Sequence, residues 1–132
     1  MQQDTRQALA TIFAEAPNVR LAILFGSLAR GDARPDSDVD LAVAGEAPLD
    51  AGEQVRLIES VALATGRPVD LVDLRRAGHG LLRQALAHGE PIYCADRAIL
   101  TEMRIRLLFE REDFAPYQRR LLRERRQAWI GM

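Results

Sequence analysis

The sequence predicts an α+β fold, α/β-like in its alternation, with one small layer of mixed sheet flanked by helices and a helical tail. Three observations lead there. Short apolar runs of strand length alternate with segments of helical spacing. Glycine, proline or asparagine punctuates nearly every junction. From Asp96 onward the chain is helix-forming and carries many arginines. At 132 residues, it is long enough for one domain with a single core.

The elements can be justified in order. Leu9, Ile12 and Phe13 share a helical face over residues 5–16, and Pro17-Asn18 stops the helix. VRLAILF, residues 19–25, reads as a buried strand, and residues 39–43 as another. Asp50 is placed to cap a helix running to Thr65 and closing at Gly66. PVDLVDL, residues 68–74, is a third strand. A helix over residues 80–87 ends at Gly89, and residues 91–94 form a short fourth strand. Ile99, Leu100, Met103, Leu107 and Leu108 fall near helical spacing. Phe114-Ala115-Pro116 breaks or kinks that helix before LLRERRQAWI resumes it. The expected division is a core over residues 1–95 and a helical extension over 96–132, within one domain.

Composition removes several function classes. The formal net charge is -1, so no global field draws the chain to nucleic acid or to a membrane surface. All 18 basic residues are arginine, which excludes a lysine nucleophile or Schiff base. Cys94 is the single cysteine, so neither a disulfide framework nor a cysteine metal site can form within one chain. MQQDTRQALA lacks a secretory pattern and no apolar run approaches spanning length, so the expectation is a cytoplasmic globular domain.

The stretch ILFGSLARGDARPDSDVDLAVAG is more elaborate than a turn requires. A strand ending in Gly26-Ser27 before a short helix aims backbone N–H groups and a hydroxyl at one spot, and glycine lets a ligand approach the backbone. That combination is a phosphate cradle. Asp38 and Asp40 flank Val39, so on a strand both carboxylates leave the same face. Paired carboxylates repel unless a cation lies between them, and Mg²⁺ suits carboxylates and phosphates together. Cradle and carboxylate pair point to phosphoryl or nucleotidyl transfer with two metal ions. Arg30 and Arg34 are available to a triphosphate, and Ser37 reads as a local hydrogen-bonding residue.

Gly26-Ser27, ten residues, then Asp38-Val39-Asp40 resembles the signature of the DNA polymerase β-like nucleotidyltransferase superfamily. GSLARGDARPDSDVDLAV and GRPVDLVDLRRA resemble its minimal branch, the MNT-domain proteins, and more narrowly the MntA-type antitoxins of HEPN/MNT toxin–antitoxin pairs. The resemblance covers residues 19–96. It implies the nucleotidyltransferase fold, and a third carboxylate on a neighbouring strand that helps hold the catalytic metal and receives the nucleophile's proton. Asp70 and Asp73 are three apart and on a regular strand face opposite sides; the family pattern selects Asp70, leaving Asp73 to cap the strand or the next turn.

The resemblance further implies an adenylyltransferase with Asp38, Asp40 and Asp70 as catalytic and metal-binding residues. Gly26, Ser27 and Arg30 would bind nucleotide, with two Mg²⁺ as cofactors and ATP as substrate. The expected partner is a HEPN-domain toxin encoded nearby, whose tyrosine receives AMP and whose ribonuclease activity is silenced. No membrane or direct nucleic-acid contact is expected. Two rivals stand beside this reading: an antitoxin of weak catalysis that acts by covering its toxin, and an aminoglycoside-type small-molecule nucleotidyltransferase. The latter normally carries an extra substrate domain, for which residues 96–132 leave little room.

Other features read as incidental. Arg83 and His88 have a spacing seen in HEPN ribonucleases but in an unrelated short helix, and His79 is expected in a surface loop. Trp129 and Ile130 are expected to anchor the last helix or to touch another chain, with Arg119, Arg120 and Arg123 as a polar rim.

Overall fold

The two most apolar runs of the sequence occupy the middle of the sheet. The computed structural model describes residues 2–109. Helix α1 (Gln3–Ala14) leads into β1 (Val19–Phe25), the five-residue α2 (Gly26–Arg30) and β2 (Val39–Gly45). Then follow α3 (Ala51–Thr65), β3 (Val69–Asp73), α4 (His79–His88), β4 (Glu90–Cys94) and α5 (Arg97–Phe109). The strand order is β3-β2-β1-β4. β1 runs antiparallel to both β2 and β4, whereas β2 and β3 are parallel. The result is the mixed sheet that the sequence predicts.

Strand parity divides the core between two faces. Ala22 and Leu24 of β1 and Val39, Leu41 and Val43 of β2 pack with Leu9 and Phe13 of α1 and Leu57 and Val61 of α3. Leu21, Ile23 and Phe25, with Ala42 and Ala44, pack instead with Leu82 and Ala85 of α4 and Ile99 and Met103 of α5. With both faces covered, β1 and β2 read as nearly unbroken apolar runs. The edge strands are less buried, and β3 carries an exposed aspartate, Asp70, at its second position.

Local signals account for most boundaries. Asp50 accepts from the Glu53 amide at 2.7 Å while the Glu53 carboxylate accepts from the Asp50 amide at 3.1 Å, a reciprocal capping box at the start of α3. Gly66 closes α3 in the left-handed region at φ 67°. α1 begins two residues earlier than its apolar face suggests, because polar residues extend a helix as readily as apolar ones. It closes at Ala14, two residues before the expected end, with Glu15 as its cap. β2 continues to Gly45, held by pairing with Val19. His79 is a correction: it is the half-buried first residue of α4, not part of a surface loop. The carbonyl of Gly78 accepts from the Leu82 amide, so the helix starts there. Phe114, Arg119, Arg120, Arg123, Trp129 and Ile130, and the expected break at Phe114-Ala115-Pro116, lie outside the described residues.

Candidate active site

The site forms where β1 ends and β2 begins. Phe25 pairs with Asp40, so the chain leaves β1 at Gly26 directly beside that aspartate. Gly26 has φ +74°, and a Cβ there would stand 2.1 Å from Asp40 Oδ2. Glycine is therefore required twice, by backbone conformation and by the carboxylate lying against its Cα. α2 follows at once, and no side chain caps its N-terminus. The first amides of that turn are thus left for other acceptors. Ser27 is half-buried beside them.

Parallel pairing brings the third carboxylate across. Asp40 and Asp70 are register partners on β2 and β3. Asp38 lies immediately before β2, and its charge acts on Asp40. Burial, then the charges of Asp70 and Asp38, push the Asp40 carboxyl above its ordinary value of 3.8, while Arg30 pulls it the other way. Asp38, Asp40, Asp70 and Arg30 thus share one electrostatic field. Arg30 is exposed, with its Nε 3.3 Å from Asp32 Oδ2.

Asp73 turns to the opposite face. Its Oδ2 accepts from the Leu49 amide and its Oδ1 from the Arg75 amide, each at 2.9 Å. Those bonds tie the loop before α3 to the turn after β3, a bracing task with no part in the carboxylate cluster. Arg34 is exposed, and its side chain is not brought to the cluster by any hydrogen bond or ion pair recorded for it among the described residues. Ser37 Oγ accepts from the Arg34 amide at 2.7 Å, the local bond expected of it. Arg83 and His88 are exposed on α4, and neither is among the charges that act on Asp40.

The donor set is all carboxylate oxygen, which suits a hard cation such as Mg²⁺. The three side chains share a field without closing on one point: among the described residues, no three Asp, Glu, His or Cys side chains converge as a ready ligand set. Asp38 and Asp70 are exposed, so both side chains have room to turn. The Asp40 carboxyl, raised by burial and crowded by the charges of Asp70 and Asp38, is the observation that fits a cation here. No helix among the described residues is long and apolar enough to cross a membrane.

Sequence patterns gave no role to Arg67. Its Nη1 donates to the Arg34 carbonyl at 2.8 Å and to the Ser37 carbonyl at 3.0 Å, closing the loop before Asp38. An arginine between a helix-ending glycine and a proline carries no sequence signal for such a bond; only tertiary structure brings it to the loop.

Comparison with known proteins identifies the family and the fold. Residues 7–98 match the family model described as Polymerase beta, Nucleotidyltransferase. The chain is 36% identical over 77 residues to protein adenylyltransferase MntA of Shewanella oneidensis. That match covers 58% of this chain and spans 55% of the relative's length. A chain in the crystal structure of a toxin–antitoxin with AMP-PNP superposes with TM-score 0.71 at 28% identity, covering 96% of this chain and 95% of that one. A tri-AMPylated Shewanella oneidensis HEPN toxin in complex with an MNT antitoxin gives TM-score 0.68 at 27% identity, covering 99% and 97%.

Proposed function

The chain belongs to the polymerase β nucleotidyltransferase family, and from that premise we propose that it is a Mg²⁺-dependent protein adenylyltransferase antitoxin. It transfers AMP from ATP to a tyrosine hydroxyl of a cognate HEPN toxin encoded nearby, and so silences it. The observation that carries the reading is the field shared by Asp38, Asp40 and Asp70, beside a glycine-led helix start. Similarity to a named adenylyltransferase, and to complexes holding AMP-PNP and an AMPylated toxin, supports the nucleotide and the acceptor class.

In this reading Asp38, Asp40 and Asp70 hold two Mg²⁺ ions, while Gly26, Ser27 and the first amides of α2 receive the β- and γ-phosphates. Arg30 adds positive charge at the rim. When bound, Mg²⁺ neutralises phosphate charge and makes the α-phosphorus more electrophilic. Asp70 sits on the edge strand and is exposed, so an incoming side chain can reach it. A free tyrosine hydroxyl has a pKa of about 10, so a base is needed near neutrality. The Asp70 carboxylate accepts the phenolic proton as the tyrosine oxygen bonds to the α-phosphorus. The bond to the bridging oxygen breaks opposite it, and pyrophosphate leaves. General-base assistance of this kind is worth about 10²–10⁴ in rate.

The test is to mix the protein with its co-encoded neighbour, ATP and Mg²⁺, and record intact masses. Mass gains of whole adenylate units on the neighbour are expected. A tight complex with no gain would replace transfer by simple covering of the toxin.

A further inference from the structure

We propose that Arg67 is a positioning residue that aims Asp38, a role that rests on the nucleotidyltransferase reading of the site. Asp38 stands between two peptide groups, and both are held by adjacent residues at the start of β3. On one side the Ser37 carbonyl accepts from Arg67 Nη1 at 3.0 Å. On the other, the Val39 amide donates to the Pro68 carbonyl at 2.8 Å. Two residues further along, Asp70 pairs in register with Asp40. The segment 67–70 therefore sets both members of the aspartate pair and supplies the third carboxylate.

The loop is fixed at its two ends, by Ala33 packed against the core and by the Val39–Pro68 bond, and the turn between them has fewer ties. Its start borders a surface cleft of about 390 Å³ that Arg67 lines together with Gln2, Thr5, Gly31 and Ala33. Its internal ties are the Ser37 hydroxyl on the Arg34 amide and the Ser37 amide on the Arg34 carbonyl. Both close the turn on itself; neither anchors it to the sheet. Arg67 adds that anchor to the Val39–Pro68 bond, by gripping the Arg34 and Ser37 carbonyls with one nitrogen. Hydrogen bonds to a charged donor are the strong class, and groups that orient carboxylate ligands matter by about 10–100-fold in metal affinity or activity.

Two readouts on Arg67→Ala and Arg67→Lys decide the matter. In metal-free protein, amide hydrogen exchange at residues 34–39 should rise about tenfold in Arg67→Ala while the β1 amides stay protected. The Mg²⁺ concentration giving half-maximal ATP binding in calorimetry should rise by at least about tenfold, with Arg67→Lys intermediate. Should Arg67→Ala not fold, Arg67→Lys alone decides: faster loop exchange with a raised Mg²⁺ requirement supports the role. Unchanged loop exchange, or an unchanged Mg²⁺ requirement, overturns it. Wild-type protein that binds no Mg·ATP would instead defeat the functional reading, and the aiming role of Arg67 with it.

Discussion

Asp40 is the residue at which the field of the site is concentrated, and its behaviour is predictable in sign. Its carboxyl is raised by burial and by Asp70 and Asp38, so the fold disfavours its charge. A group whose folded value is raised adds stability at low pH that is lost as pH rises through that value. Asp40→Asn should therefore raise the thermal midpoint of metal-free protein slightly at neutral pH. The advantage should shrink as pH falls below the raised value and vanish below 3.8. The same variant should lose Mg²⁺-dependent ATP binding, as calorimetry will show. Asp70 and Asp73 separate differently. Asp70→Asn should cut AMP transfer by at least about 10²-fold in single turnover with little change in stability. Asp73→Asn removes charge from two backbone hydrogen bonds and should cost about 1–2 kcal/mol of stability while transfer persists. A reversed ranking would move the proton-accepting role to Asp73. This pair was legible in sequence, because strand parity alone puts residues three apart on opposite faces. Arg67 was not legible, because its carbonyl partners lie 33 and 30 residues away.

Among the elements, the shortest helix has the strictest local requirement. α2 starts where β1 stops, and the junction needs a positive φ at Gly26 with the Asp40 carboxylate against its Cα. Gly26→Ala meets both obstacles. The left-handed backbone costs about 1–3 kcal/mol for a residue with a side chain, and the methyl group would displace Asp40 besides. Chemical denaturation should show a loss in that range, and ATP binding should weaken even at temperatures where the variant is folded. Wild-type affinity in the folded variant would mean that the close approach has no functional consequence. Element boundaries were legible where a chemical signal stands at the boundary itself, as at Asp50 and Gly66, whereas α1 closes before Pro17 is reached. They slipped where polar residues continue an element, as at the start of α1. Gly78 had no such signal either, since its use as a helix start depends on its backbone conformation rather than a capping side chain. His79 was misplaced for that reason.

At the scale of the whole molecule, the chain divides its labour between a braced sheet and whatever selects the acceptor. Among the described residues, Leu9, Phe13, Leu57 and Val61 cover one face of the sheet, and Leu82, Ala85, Ile99 and Met103 the other. α5 is also tied down by Arg106, which donates to the carbonyls of Leu74 and Ala77. Truncation after Ala115 would leave all these groups in place. It should therefore preserve the circular dichroism spectrum and Mg·ATP binding. The cradle and carboxylates, by contrast, offer little surface for recognising a particular protein. Residues 116–132 carry Arg119, Arg120, Arg123, Trp129 and Ile130, the mixture of aromatic anchor and cationic rim that strengthens and speeds protein association. Loss of that segment should weaken binding to the HEPN neighbour by at least about tenfold, an effect of some 1.4 kcal/mol, and slow AMP transfer in proportion. Adding substrate at saturating concentration should restore most of the rate, because the chemistry lies in β1, β2 and β3. A folded truncation that modifies its neighbour at full rate under subsaturating conditions would place acceptor selection on the sheet domain itself.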